Sequence, residues 1–384
     1  MLTSACFDLL AAGGSSFAQA ETPDAEPQAL VLSLDYKLDV VGAVRGGADT
    51  GVRNLDSLSL AADIDLDRAI GWRGANVHLE ALNTSGGAPN DLSGTLQGVD
   101  NIEVAARRPR LYQAWIEQSF AGDSAALLVG LYDVSGEFGV ADSAGLLLGP
   151  AFGMAPELAG SGPSGAAAYP STALSARLVW RPSDSVYAQA AVVNARVGVP
   201  GEPGGVDTSF DDGELLIAEA GWTGHGKLAL GAWAYSQKLD DQRATDALGA
   251  PLRRRPSGAY LVVEQPLNET VTTFLRAGLS EGDTQPLRST WQAGAQLKPA
   301  FASRPESTLA FGVSQVRLSK SYRANAFDAG QDLDRAETLV ELSYSDQLTP
   351  KVRVQPDLQY IRRPGADRAV KDAVVAGVRL EIAF

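Results

Sequence analysis

The amino-acid sequence predicts an all-β fold: a transmembrane antiparallel β-barrel of about sixteen strands, with short periplasmic turns and long outer loops. Three observations predict it. Short segments alternate between apolar and polar residues, short and long connections follow one another along the chain, and the last residue is the aromatic Phe384. No stretch approaches the ~20 consecutive apolar residues of a transmembrane helix. A membrane-spanning chain of this composition would therefore have to be a closed barrel.

The last segment shows the alternation most clearly. From Val374 to Phe384 the even-numbered residues are apolar and share one face, whereas Arg379 and Glu381 project from the other face. A strand with a two-residue period places these two sets on opposite sides of a sheet. The pattern fits a soluble sandwich as well as a barrel with its apolar face outward. A closing strand that ends in Phe384 resembles the assembly signal of outer-membrane barrels, which favours the barrel.

The same pattern, followed backwards, predicts sixteen strands of ~9–11 residues each. Their expected starts lie near Val31, Ser57, Arg73, Pro109, Ala125, Thr172, Ser185, Gly213, Lys227, Pro256, Thr270, Arg288, Ser307, Arg335, Lys351 and Ala373. An even number places both termini at the periplasmic end. The long connections are expected near residues 84–108, 133–171, 197–213, 239–256 and 319–335. Side chains cannot fill an interior of this width, so the barrel is expected to enclose an aqueous channel.

Aromatic residues near the predicted strand ends fit the same fold. Trp180 and Trp222 flank short turns, and Tyr344 and Tyr360 lie near strand ends. Aromatic rings prefer the headgroup level of a membrane. Each ring could also be an ordinary packed aromatic, so these residues support the barrel only as a group.

Composition limits the other functions that the chain could have. The net charge of −14 argues against nucleic-acid binding, so no nucleic-acid partner is expected. The single cysteine, Cys6, provides no disulfide framework, and two histidines provide no polyhistidine metal site. Residues 1–20 end in Ala18-Gln19-Ala20 and resemble an export signal that lacks its usual positive start. Residues 21–384 are then expected to form one barrel domain.

The longest predicted connection, residues 133–171, is rich in glycine and contains the apolar run Leu146-Leu147-Leu148. A structureless loop of this length normally counts against the strand assignment around it. In a wide barrel it has a natural place, folded inward as a constriction. An outer lid is the alternative.

Catalysis has no positive support in the sequence. The chain has no Gly-x-Ser-x-Gly element, phosphate loop or dinucleotide fingerprint, and its carboxylates show no acid–base spacing. We therefore expect neither an enzyme nor a cofactor. The predicted inward side chains mix both charge signs with amides and aromatics, which favours neutral polar solutes over phosphate.

Several segments resemble the carbohydrate-selective porins of the OprB-like family. The most specific block runs from Gln355 to Tyr360 (QPDLQY) and is followed by RRPG at residues 362–365. Residues 96–103, 111–118 and 130–138 support the match. Together the similar segments span most of residues 30–384.

The resemblance implies a sixteen-stranded outer-membrane barrel that admits mono- and small oligosaccharides by diffusion through a water-filled channel. It makes six residues candidates for lining that channel, namely Arg110, Trp115, Glu117, Arg353, Asp357 and Gln359. The expected partners are carbohydrate solutes, outer-membrane lipid and, through Phe384, the barrel-assembly machinery. Whether the barrels form homotrimers stays open. A general or small-acid-selective porin and a secreted β-rich sugar-binding protein remain the alternative functions.

Overall fold

The computed structural model describes residues 28–104, 107–198 and 205–384. The expected export signal over residues 1–20 lies outside the described residues. The predicted barrel is confirmed: sixteen strands of the described chain form one closed antiparallel sheet, in which the first and last strands pair.

The barrel strands follow chain order except for one inserted hairpin. They are β1 (Leu30–Gly47), β2 (Gly51–Asp65), β3 (Ala75–Gly86), β4 (Pro109–Phe120), β5 (Ala125–Tyr132), β6 (Ala173–Ser183), β7 (Val186–Asn194), β8 (Glu214–Trp222), β9 (Lys227–Tyr235), β12 (Ser257–Pro266), β13 (Val271–Ser280), β14 (Leu287–Leu297), β15 (Thr308–Leu318), β16 (Ala336–Thr349), β17 (Val352–Arg362) and β18 (Lys371–Ala383). Between β9 and β12, β10 (Leu239–Thr245) and β11 (Pro251–Arg254) pair only with each other.

Short helices occupy some of the connections. They are α1 (Leu66–Ile70), α2 (Asn90–Ser93), α3 (Pro150–Gly153), α4 (Pro156–Ala159) and α5 (Lys320–Asp328), with single 3-10 turns at Val134–Gly136, Asp142–Ala144 and Pro364–Ala366. Within the three described ranges, no helix combines the length and the apolar character that crossing a membrane requires.

The predicted alternation sets which side chains face inward. On β17, Gln355 and Gln359 are buried inside the barrel, whereas Leu358 and Tyr360 are half-exposed on its outer surface. The neighbouring strands continue these rows, because Leu358 pairs with Leu342 and Gln359 pairs with Glu341. The outer surface is therefore largely apolar, with hydrogen-bonding backbone groups engaged around the closed sheet.

The start of β1 and the end of β18 lie at one end of the barrel, here called the terminal end; the opposite end is the loop end. Large aromatic side chains are exposed around the terminal end, among them Trp72, Phe120, Trp180, Trp222, Phe301 and Phe384. Trp180 and Trp222 were expected there from the sequence. Rings of this kind prefer the headgroup level of a membrane.

The connections depart from strict alternation at three places. The β1–β2 connection at the loop end is only residues 48–50, and the β13–β14 connection is only residues 281–286. The terminal-end connection between β2 and β3 contains α1 and is longer than the other turns of that end except the β14–β15 connection, residues 298–307. The second strand also begins at Gly51 rather than near Ser57, because its first residues carry polar outward side chains such as Asn54 that interrupt the apolar pattern.

The sequence predicts that the barrel encloses an aqueous channel, but part of the interior is apolar. Inward apolar side chains of β8, β12 and β13, including Ile217, Val262 and Phe274, form a buried cluster with Phe138 and Phe152. Those two rings belong to the β5–β6 connection. Part of the barrel is therefore packed rather than filled with water.

Candidate functional site

Two loop-end connections fold into the barrel. We call the β3–β4 connection L2 (residues 87–108) and the β5–β6 connection L3 (residues 133–172). L3 lies against the inner face of the wall from β7 to β17, and the described part of L2 lies against β15 to β18 and β1. Together they determine which inward side chains remain open to solvent.

Buried carboxylates of the barrel wall hold the backbone N–H groups of L3. Glu219 accepts from the Gly139 N–H at 2.8 Å, and Glu264 accepts from both the N–H and the hydroxyl of Ser143 at 2.7 and 2.5 Å. Glu341 accepts from the two successive N–H groups of Leu148 and Gly149. Hydrogen bonds to charged acceptors are roughly twice as strong as neutral ones. These three side chains therefore fix the path of L3.

Wall donors bind the carbonyl groups of L3 in the same way. The Arg276 guanidinium donates to the carbonyls of Ala151, Gly153 and Gly139 at 2.6, 2.7 and 2.9 Å. Gln355 donates to the Leu146 carbonyl at 2.6 Å. Arg276 and Gln355 are both 2% exposed, so these bonds are formed away from bulk water.

Two inward glycines make room for L3. A Cβ atom on Gly278 would lie 1.7 Å from the Glu157 carboxylate, and one on Gly312 would lie 2.5 Å from Leu147. Both glycines have ordinary backbone angles, so close approach rather than conformation requires them. The wall and the inserted loop are complementary in shape.

L2 is held by a second set of wall residues. Glu337 accepts from the Leu96 N–H at 2.9 Å and from the Gln97 amide at 3.1 Å. Gln359 donates to the Val99 carbonyl at 2.8 Å, and Arg379 donates to Asn101 at 2.7 Å. L2 thus covers inward-facing side chains of β15 to β18.

A cavity of about 830 Å³ remains between L3 and the turns of the terminal end; we call it the vestibule. Its described lining carries eight carboxylates, those of Asp65, Asp67, Glu117, Asp123, Glu137, Asp142, Asp184 and Glu264, but only three cationic side chains, those of Arg177, Arg181 and Lys227. The vestibule is therefore acidic.

Trp115, Glu117 and Arg177 come together where L3 borders the vestibule. Arg177 on β6 pairs with Glu117 on β4 at 2.8 Å and with Glu137 of L3 at 2.7 Å. Trp115, two residues before Glu117 on β4, also lines the vestibule, as does Tyr187 on β7. Adjacent strands give this arrangement, because β4 pairs with β5 and β5 pairs with β6.

Two of the six predicted channel residues, Trp115 and Glu117, therefore line the vestibule. Arg353 projects inward near the terminal end of β17 and is partly buried. Asp357 and Gln359 are 6% and 1% exposed, bond to each other at 2.9 Å and lie next to the inserted loops.

Arg110 lies near the loop end of β4. It donates to the Pro170 carbonyl in L3 and to Thr84, each at 3.2 Å. The structure thus does not gather the six residues at one point.

Glu137 and Tyr187 line the vestibule but were not predicted from the sequence as site residues. Tyr187 had a usable signal, because it alternates with Gln189 on a strand whose inward face is polar at that end. Glu137 had none, because it belongs to a connection without periodicity. Among the residues that the structure describes, no group of three or more His, Cys, Asp or Glu side chains is placed to hold a metal ion.

Burial changes the acidity of carboxyls within the inserted loops. It raises the pKa of Asp142 in L3, an effect that nearby Lys227 opposes and Glu264 reinforces. Burial likewise raises the pKa of Glu103 in L2 to about 6. The charge on Glu103, and with it the charge of L2, therefore changes around pH 6.

Known proteins share this architecture. Residues 49–384 match the family described as "Carbohydrate-selective porin, OprB family". Porin B of Pseudomonas aeruginosa is 22% identical over 431 aligned residues, which cover 92% of this chain and 88% of the relative. The high-pH structure of Pseudomonas putida OprB is 23% identical with a TM-score of 0.83, covering 93% of this chain and 94% of that one. The outer membrane channel DcaP of Acinetobacter baumannii has the same general fold, with a TM-score of 0.59 at 10% identity over 92% and 97% of the two chains.

Proposed function

The chain belongs to the carbohydrate-selective OprB porin family, and we propose that sugars diffuse through its barrel along the part of the wall that L3 leaves open, without any covalent step. It is a porin of the bacterial outer membrane. The short turns and the vestibule then face the periplasm. The observation that carries the proposal is that Trp115 and the Glu117–Arg177 pair line the vestibule where Glu137 of L3 reaches it.

The chemistry of these side chains suits a sugar. A pyranose has an apolar face that packs on an aromatic ring and hydroxyl groups that both donate and accept hydrogen bonds. Trp115 offers the ring, the carboxylates of Glu117 and Glu137 accept, and Arg177 donates. We propose that Arg353 completes the path from the opposite wall, whereas Arg110, Asp357 and Gln359 hold the inserted loops that narrow it.

Planar-bilayer recordings with maltotriose as the probe test this proposal. We expect maltotriose to reduce the current through the wild-type channel and the Trp115→Ala variant to raise its dissociation constant about tenfold, because an aromatic contact contributes on the order of 1 kcal/mol or more. The control is Trp291→Ala, which removes an outward-facing tryptophan of β14 and should leave the block unchanged. Absence of any current reduction in the wild-type channel would contradict sugar passage.

The charge of the vestibule provides a test between a sugar porin and a porin selective for small acids. Carboxylates around a narrow aqueous path attract cations and repel anions. We therefore expect the zero-current potential in a KCl gradient to show preference for potassium over chloride. Asp184→Lys, which reverses one charge of the vestibule, should reduce that preference, whereas Glu269→Lys, in a turn at the same end but outside the vestibule lining, should not. A wild-type channel that prefers chloride would support an acid-selective porin instead.

We further propose that the barrel-assembly machinery binds the exposed terminal residue Phe384. Its ring projects outward at the terminal end, 60% exposed, with the Lys351 ammonium 5.0 Å from the ring centroid. We also propose that the barrels associate as homotrimers. Native mass measurement in detergent tests the second point, and a monomer mass would contradict it.

A further inference from the structure

Three adjacent strands place a row of side chains beside the sugar site at the same height of the barrel. Asp63 on β2 pairs with His78 on β3, and His78 pairs with Trp115 on β4. The His78 ring is stacked on the Trp115 indole, with ring centroids 5.0 Å apart and planes at 19°. The His78 side chain is only 12% exposed, so little of its ring is open to solvent.

Carboxylates flank both nitrogens of this histidine. His78 Nδ1 lies 2.7 Å from the Asp63 carboxylate, and Nε2 lies 3.7 Å from the Glu80 carboxylate. Among the described residues, these are the charged groups in contact with the ring; the other neighbours on β4 are Trp115 and Gln113. A protonated imidazole donates from both nitrogens, whereas a neutral one donates from only one.

The edge of the indole is anchored through the same carboxylate. Trp115 Nε1 donates to Gln113 at 3.3 Å, and Gln113 donates to Glu80 at 3.1 Å. The Ser59 hydroxyl donates to the other oxygen of Glu80 at 2.6 Å. Glu80 therefore supports the edge of the Trp115 indole through Gln113. It also lies beside Nε2 of His78, whose ring stacks on the face of the same indole.

We propose that His78 is a positioning residue for sugar binding: its protonated ring, held between Asp63 and Glu80, fixes the plane of Trp115 against the lumen wall. A cation stacked on an indole is attracted by the negative face of the ring. That attraction, together with the two carboxylates, holds the imidazole parallel to the indole. The inference rests on the proposed function of Trp115, and it adds that sugar affinity falls when His78 loses its proton.

The test is maltotriose block of single channels, measured from acid to alkaline pH so that the histidine is protonated at one limit and neutral at the other. We expect the wild-type dissociation constant to rise with pH. His78→Ala should raise the constant about tenfold at acid pH. His78→Phe keeps a stacked ring without a charge, so it should bind maltotriose with intermediate affinity and a flat pH profile. The control is His225→Gln, which changes the other histidine and should match the wild-type channel.

The outcomes separate this inference from the function on which it rests. If Trp115→Ala weakens the block while His78→Ala does not, sugar binding at Trp115 stands and the positioning role of His78 is overturned. If His78→Phe keeps the wild-type pH profile, the pH dependence arises elsewhere and the inference also fails. If the wild-type channel shows no block, the proposed function itself fails. Sugar-free conductance of each variant shows that its barrel is intact.

Discussion

Replacing Arg276 by methionine is expected to increase the single-channel conductance several-fold and to abolish the block by maltotriose. Arg276 is 2% exposed. Its guanidinium donates to three carbonyls of L3, and its Nε donates to Gln292 at 2.7 Å. Methionine has a similar length but donates nothing, so the carbonyls of Gly139 and Gly153 lose this donor, and the Ala151 carbonyl keeps only its bond from Gln292 at 2.5 Å. Each such loss costs about 1–3 kcal/mol, which favours an arrangement with L3 detached from β13.

Detachment of L3 opens the path because the sheet without it is too wide for side chains to fill. Planar-bilayer recordings measure the conductance, and resistance of L3 to protease, which the Arg276→Met variant should lose, reports the position of the loop. The matched control is Arg317→Met on β15, since Arg317 is exposed and contacts Gln315 rather than L3. A variant with wild-type conductance and wild-type block would show that the remaining contacts alone hold L3 in place.

The sequence predicted the strands of this barrel and their inward faces better than it predicted the loops folded inside. Alternation places Gln355 and Gln359 inward whether they face water or an inserted loop, because the two-residue period reports only the side of the sheet. Gln359 donates to the Val99 carbonyl, 260 residues away in the chain. No local sequence pattern predicts such a contact. Residues that brace L2 and L3 therefore look, in the sequence, like residues that contact solute.

The candidate site was partly predictable for the same reason. Trp115 and Glu117 alternate on one predicted strand, so their common inward direction followed from the sequence. Their meeting with Glu137 did not, because it depends on the fold of L3. The β10–β11 hairpin was likewise expected as irregular loop, since its polar residues at 239–254 lack an apolar face.

The second large effect concerns the seam where β1 and β18 close the barrel. Arg379 and Asp39 pair directly across it. Arg379 Nε lies 2.9 and 3.0 Å from the two Asp39 oxygens, and Nη2 lies 2.6 Å from one of them. Asp39 is 0% exposed and Arg379 is 2% exposed. The guanidinium also lies 3.5 Å from Asp100 of L2, so one cation serves two buried carboxylates.

Arg379→Met is therefore expected to lower the free energy of unfolding by about 3–5 kcal/mol, the usual cost of leaving a buried charge without its partner. Urea unfolding in detergent, followed by tryptophan fluorescence, measures it. The exposed pair Arg253–Asp240, whose side chains are 56% and 60% exposed, provides the control: Arg253→Met should cost no more than about 1 kcal/mol. The double variant Asp39→Leu with Arg379→Met removes the cation and one of its two carboxylates and leaves Asp100 in place, so it should recover part of the loss. Equal destabilisation of the single and double variants would show that packing, not the charge left behind, sets the cost at this seam.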